Sequence, residues 1–208
     1  MEKIKLNLGC GDQIVNGWLN VDYSVGARLA KIPLFPLINK KLRLLNLDWN
    51  EKILLHDLTK KFPWSDESVD EIYSSHTLEH LDKNQGDAFL SECYRVLKKE
   101  GIIRIVVPDL RAFVDSYVKG ELLAENFVKN LGVLYEEQGD SSLKRRLAPL
   151  IRFPHKCMYD TERLLEIMSL IGFDCQSTEP FTSEISDIKN IELPERTVEA
   201  VIVEGKKR

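Results

Sequence analysis

The sequence predicts an α/β fold: a doubly wound, mostly parallel sheet with helices around it and a helical insertion. Short apolar runs alternate with helical patterns along most of the chain, as strand–crossover–strand units require. Ile103, Ile105, Val106 and Val107 make a run that is almost wholly β-branched, as in a strand buried on both faces. Just before it, Ala88, Leu90, Cys93, Val96 and Leu97 recur at helical spacing, so a crossover helix feeds that strand. With 208 residues, 43% of them hydrophobic and 30% charged, the chain has the material for one domain, 1–208, around a continuous core.

In chain order, residues 4–8 read as the first strand and 19–21 as the second, which closes at Asp22. A third strand is expected at 53–55, a fourth at 69–74, and a fifth at 102–107, stopped by Pro108. The helix feeding the fifth strand has Lys98 and Lys99 at the negative end of its dipole and Gly101 where a C-cap glycine belongs. A second helix starts at Asp160-Thr161 and runs to Gly172, with Leu164, Leu165, Ile167, Met168 and Ile171 as its apolar residues. A sixth strand follows at 173–177, and a last one at 197–203 alternates cleanly in polarity. Two stretches break the rhythm, 25–50 and 111–152, and both read as insertions. The second is helix-rich, with Leu122, Leu123, Phe127, Val128, Leu131 and Leu134 at helical spacing. Insertions at the carboxyl ends of strands are where open sheets usually build substrate specificity.

A formal net charge of −4 lacks the basic footprint of a nucleic-acid binder, and the short run Lys144-Arg145-Arg146 reads as a solvated face. No stretch approaches the length of an apolar membrane span, and the first residues lack the basic, apolar and small-residue regions of a leader. Cys10, Cys93, Cys157 and Cys175 are scattered and form no CxxC pair, which suits reduced thiols in a cytoplasmic protein. Oligomeric state is left open by these features.

The first chemically informative segment is Leu6-Asn7-Leu8-Gly9-Cys10-Gly11, a strand leaving through a G-x-G turn. Glycine lets the backbone turn sharply and a ligand approach without a Cβ in the way. A dinucleotide fingerprint would continue with a third small residue, a helix N-terminus for the pyrophosphate and an acid about twenty residues on. Here the third position is Ile14, the connection to Leu19 has room for at most one helical turn, and Asp22 follows Gly11 far too early. NAD is disfavoured; a ligand without a pyrophosphate is not. Asp22, at a strand end, can accept from both hydroxyls of a ribose, and Tyr23 can lie against an adenine face. Asp57, just past the third strand, is placed to accept from an adenine amino group.

Four segments then stand in order: LNLGCG, NVDY, HDLTKKFPWSDESVDEIYSSHTLEHL and ECYRVLKKEGIIRIVVPDL. Together they resemble the class I S-adenosylmethionine-dependent methyltransferases. Within that superfamily, with HKCMYDTERLLEIMSLIGF in the tail, the chain resembles a small bacterial group associated with surface-polysaccharide and sugar modification. The resemblance spans most of residues 4–204 and thins through 25–50 and 112–150. It implies a Rossmann-like sheet of seven strands with the last antiparallel, and S-adenosylmethionine as cofactor with S-adenosylhomocysteine as product. It further implies that the Gly9-Cys10-Gly11 turn passes under the methionine and ribose, that Asp22 holds the ribose hydroxyls, that Asp57 and the Leu58 backbone hold the adenine, and that His76 lies near the transferred methyl. Family members commonly carry an acid two residues before the first glycine; this chain has Asn7 there, so contact with the methionine ammonium is weakened or supplied elsewhere.

Methyl transfer from a sulfonium is an in-line displacement, in which a protein chiefly aligns the nucleophile and removes its proton. Candidate bases are His76, Asp109 and His155, with Glu79 and His80 on an expected helix start where capping or pairing is their default, and Lys156 and Tyr159 in a loop able to line the acceptor side. No H-E-x-x-H, D-x-D or Cys/His cluster suggests a metal. The expected function is transfer of a methyl group to a small-molecule or glycan-precursor acceptor, on oxygen. The alternatives are a catalytically silent S-adenosylmethionine-binding regulatory module and, behind it, an NAD-dependent oxidoreductase.

Overall fold

A computed structural model of the chain describes residues 3–32, 51–133 and 154–208. Most of the two expected insertions, with Leu134 and the basic run 144–146, lies outside the described residues. The strands are β1 (Lys5–Leu8), β2 (Leu19–Asp22), β3 (Leu54–Leu55), β4 (Val69–Ser75), β5 (Leu97–Pro108), β6 (Phe173–Ser177) and β7 (Ala200–Lys207). They form one sheet in the order β3-β2-β1-β4-β5-β7-β6. The first five run parallel, and β7 is antiparallel to both its neighbours, as expected. Chain direction through the sheet reverses between β1 and β4. That is the topological switch point, where open α/β sheets leave a crevice at the carboxyl ends of their strands.

The six described helices are α1 (Val25–Ala30), α2 (Lys83–Val96), α3 (Leu110–Val118), α4 (Ala124–Asn130), α5 (Thr161–Ile171) and α6 (Ile188–Ile191). Helix α2 begins in a capping box: the Asp82 carboxylate accepts from the Gln85 amide, and the Gln85 side chain accepts from the Asp82 amide. That reciprocal pair satisfies two of the donors every helix start leaves free. Helix α5 starts at its predicted cap, Asp160, and stops at Gly172 in the left-handed region (φ 120°). Residues 9–18, the connection from β1 to β2, contain no helix.

The alternation of the strands splits the core in two. Leu6, Leu8, Ile72, Ile103, Ile105 and Val107 pack with Phe89, Leu90 and Cys93 of α2 and Leu164 and Met168 of α5. Tyr73, Val106 and Ile202 point to the other face, where Val15, Trp18, Ile185, Ile188 and Ile191 cover them. Each fully enclosed side chain of this size contributes about 1.5–3 kcal/mol.

Two expectations are corrected. Gly101 is not a C-cap: α2 ends at Val96, Leu97 is already extended, and β5 begins there. Val69 pairs with Leu97 and Glu71 with Ile102, so residues 98–101 bulge out of the ladder. Lys98 reaches both oxygens of Asp70 at 2.8 Å instead of serving the helix dipole. The last strand runs later than 197–203, because Pro194–Arg196 forms a 3₁₀ turn and Glu199 takes a positive φ of 49° before the chain enters β7. Its pairing with β5 then carries it to Lys207 through polar residues that no hydropathy pattern marks.

Candidate active site

The carboxyl ends of β1, β2 and β3 gather the residues expected to meet the cofactor. The amides of Gly9 and Cys10 both donate to the Val21 carbonyl, at 2.9 and 3.1 Å. Asp22 then staples the turn from the other side: its carboxylate accepts from the Gly11 amide at 2.9 Å and from the Ser24 amide at 2.7 Å. The His56 amide donates to the Asp22 carbonyl, which brings the exit of β3, and Asp57 with it, alongside the exit of β2.

The two glycines are required for different reasons. A Cβ on Gly9 would lie 1.9 Å from Thr77 Oγ1, so Gly9 lets the β4 exit close on the β1 exit. A Cβ on Gly11 would meet nothing within 4 Å, although its φ of 59° belongs to the left-handed region. One side of Gly11 thus faces open space at the end of the sheet, and two strand-end aspartates stand beside it. The lack of a helix in 9–18 denies a pyrophosphate its usual anion site at this edge.

The remaining candidates on this side differ in setting. Asn7 is buried, and its amide donates to Asn20 Oδ1 at 3.1 Å. Cys10 is buried against Ala27 and Ile53, and burial, assisted by the Asp22 charge, pushes its thiol up to about 12. The Leu58 side chain belongs to the core, and Tyr23 is half exposed with the Arg28 guanidinium 5.2 Å over its ring. For Asp57, burial raises the carboxyl, but bonds from the Thr59 hydroxyl and amide to Oδ1, at 2.7 and 3.0 Å, hold it below its ordinary value.

At the β4 exit, His76 adopts a left-handed conformation (φ 51°), a strain that costs a non-glycine residue about 1–3 kcal/mol and concentrates at functional sites. Its Nε2 lies 3.0 Å from the Arg196 carbonyl, and its Nδ1 lies 3.4 Å from Glu79 Oε1. Glu79 and His80 sit in a 3₁₀ turn, Leu78–His80, rather than opening α2. The Glu79 carbonyl accepts from the amides of Lys156 and Cys157, which docks the segment before α5 here and sets the His155 ring 5.0 Å from that of His80. Burial lowers the His155 pKa, against the pull of the Glu79 charge. Lys156 Nζ reaches Gln85 Oε1 at 3.5 Å, and Tyr159 is buried, its hydroxyl lying against Gly86 of α2. Asp109 stands apart as the N-cap of α3, accepting from the Arg111 amide at 2.8 Å. The sequence reading passed over Thr77, Asn20 and Arg196, whose roles depend on neighbours from other strands.

Residues 6–105, just under half of the chain, match a family model described as a methyltransferase domain. The sheet order and the antiparallel β7 match the Rossmann-like fold of solved methyltransferase structures. Solved structures share the fold at low identity. A S-adenosylmethionine-dependent methyltransferase from Methanosarcina mazei is 14% identical (TM-score 0.55, covering 100% of this chain and 93% of that one). The YcgJ protein from Bacillus subtilis is likewise 14% identical (TM-score 0.54, 100% and 92%), and a methyltransferase from Archaeoglobus fulgidus is 16% identical (TM-score 0.50, 99% and 86%). No curated protein matches the sequence. No described helix is long and apolar enough to cross a membrane.

Proposed function

We propose that this methyltransferase carries a methyl group from S-adenosylmethionine to a hydroxyl of a small-molecule or glycan-precursor acceptor, consistent with the sugar-modifying group it resembles. The observation that carries the reading is the shared edge of Gly11, Asp22 and Asp57 at the switch point, with the β4 exit closed against it through Thr77. In this arrangement Asp22 receives the ribose hydroxyls, Asp57 and the Leu58 backbone the adenine, and Gly9 to Gly11 the methionine side. When bound, the sulfonium supplies an electrophilic methyl carbon: the acceptor oxygen bonds to it, the carbon–sulfur pair passes to sulfur, and the acceptor proton goes to a base.

His76 is the best placed of the candidate bases, since it leads from β4 and is oriented by Glu79. Asp109 has one oxygen committed to the α3 cap, and the His155 ring, in the segment before α5, lies against that of His80. General bases contribute roughly 10²–10⁴-fold, so His76→Ala is expected to lower kcat about a hundredfold with cofactor affinity little changed.

Calorimetry with S-adenosylhomocysteine tests the cofactor half. The intact protein binds, Asp22→Asn binds roughly tenfold to a hundredfold more weakly, and Gly11→Ala loses affinity while Gly17→Ala does not. Gly17 is a matched control: its φ is 82° and a Cβ there also meets nothing within 4 Å, but it lies at the amino end of β2. Absence of binding by the intact protein sinks the proposal. Transfer of labelled methyl to amine but never to hydroxyl acceptors would overturn its oxygen specificity.

A further inference from the structure

Glu79 is wholly enclosed, and neither of its carboxylate oxygens makes a hydrogen bond among the described residues, the nearest ring nitrogen being His76 Nδ1 at 3.4 Å from Oε1. Leaving a buried polar group unmet costs about 1–3 kcal/mol, and more when the group is charged. Around it stand three imidazoles, each turned with one ring nitrogen on a backbone carbonyl. His155 Nδ1 lies 2.8 Å from Leu131 O, His80 Nδ1 lies 3.4 Å from Pro154 O, and His76 Nε2 lies 3.0 Å from Arg196 O. A neutral imidazole that donates through one nitrogen has a lone pair on the other, and this is how the outer contacts of metal-ligating histidines fix the tautomer. The Glu79, His80 and His155 ligand atoms all lie within 4.8 Å of one another. The His155 ring is held from behind, since a Cβ on Gly132 would lie 2.7 Å from it. The result is one buried carboxylate and two half-buried imidazoles whose ligand atoms converge.

We propose that Glu79, His80 and His155 bind one divalent transition-metal ion of the zinc class, with His76 beside it. Two imidazoles and one carboxylate suit Zn²⁺, Co²⁺, Mn²⁺ or Fe²⁺, whereas Ca²⁺ and Mg²⁺ prefer all-oxygen shells. Three protein ligands leave an open position, as catalytic rather than structural sites do. The 3₁₀ turn carrying Glu79 directly follows Thr77, which packs on Gly9, so the ion adjoins the cofactor edge. There it supplies Lewis acidity where an acceptor hydroxyl gives up its proton. That use rests on the methyl-transfer reading above; the existence of the site does not.

The test is titration of chelator-stripped protein with Co²⁺, read by visible absorption, with metal content measured after reloading with Zn²⁺. Saturable binding of one ion per chain with a nitrogen- and oxygen-ligand spectrum is expected. Glu79→Gln, His80→Ala and His155→Ala should each weaken it at least tenfold, and Cys157→Ser should leave it unchanged, with circular dichroism confirming that each variant is folded. If a variant does not fold, the intact protein's spectrum decides. No saturable binding, a thiolate charge-transfer band, or equal binding by the folded ligand variants overturns the proposal. Calorimetry with S-adenosylhomocysteine on the same metal-free preparation separates the two readings. Metal binding without cofactor binding removes the methyl-transfer reading alone, and cofactor binding without metal removes only this site.

Discussion

Arg104 and Glu79 are both charged, both fully buried, and placed on adjacent strands or their exits, yet their surroundings treat them in opposite ways. Arg104, in the middle of β5, meets Glu192 with two bonds, at 2.8 and 3.0 Å. Its other donors reach Thr178 Oγ1, the Thr182 carbonyl and the Glu179 carbonyl. Glu204 completes the set at 3.4 Å and itself accepts from Ser183 and the Glu184 amide. Every part of this network is spoken for, and its effect is architectural: it pins the segment between β6 and α6 onto the sheet. Glu79 has the same burial but makes no hydrogen bond, with only His76 Nδ1 near it at 3.4 Å. A buried charge fully met by the protein marks the frame, and one left unmet marks a place for something the protein does not itself contain.

The largest effect expected from this contrast is on stability. Arg104→Met, which strands two buried carboxylates, should cost about 3–5 kcal/mol in urea unfolding. In metal-free protein, Glu79→Gln should move it by less than about 1 kcal/mol, because no hydrogen bond is lost. Comparable losses in the two variants would erase the distinction. Next in size is the response to metal: Zn²⁺ at a hundredfold excess over its Kd should add about 2.7 kcal/mol to the intact protein and nothing to Glu79→Gln. A chemical-denaturation series with and without Zn²⁺ reads both.

A third charged group lies between these extremes. Arg95 on α2 is bonded to Glu92, Asp66 and the Phe62 and Trp64 carbonyls, but its pairs are partly open to solvent. Arg95→Ala should therefore cost about 1–2 kcal/mol, less at high salt; a salt-independent loss as large as that of Arg104 would show that burial does not set the scale. The smallest effect is on pH dependence. The Arg95 hydrogen bonds, then the Phe62 amide, hold the Glu92 carboxyl below its ordinary value, with burial opposing them. A carboxyl whose pKa is lower folded than unfolded adds stability above the unfolded value, about 4.3, and loses it as pH falls through the folded one. Thermal melts between pH 6 and 3 should fall over the acid end of that range, and less steeply in Glu92→Gln.

Much of this was legible from residue order alone. The seven strands, the absence of room for a first crossover helix, the α5 caps at Asp160 and Gly172, and the strand-end positions of Asp22 and Asp57 all follow from hydropathy period and turn chemistry, which act over a few residues. Arg104, a charge inside IIRIVV, was passed over, because its partners come from residues 178–204, far along the chain. The start of β5 at Leu97 and the polar end of β7 were not legible either, because pairing with a neighbouring strand extended them beyond their own apolar signal. Gly9 and Gly11 look alike in the sequence, and only the position of Thr77 separates the glycine needed for packing from the one facing open space.

By itself, then, the sequence determined the class of sheet and which residues stand at the strand ends, since backbone period and turn geometry are local properties. The tertiary structure alone decided that the two buried charges would have opposite surroundings. Glu79 and His80 are adjacent in the chain, but His155 comes from the segment before α5 and reaches them only when the Lys156 and Cys157 amides dock on the Glu79 carbonyl. Hydrogen bonds of that kind join residues far apart in the chain, and linear spacing does not encode them.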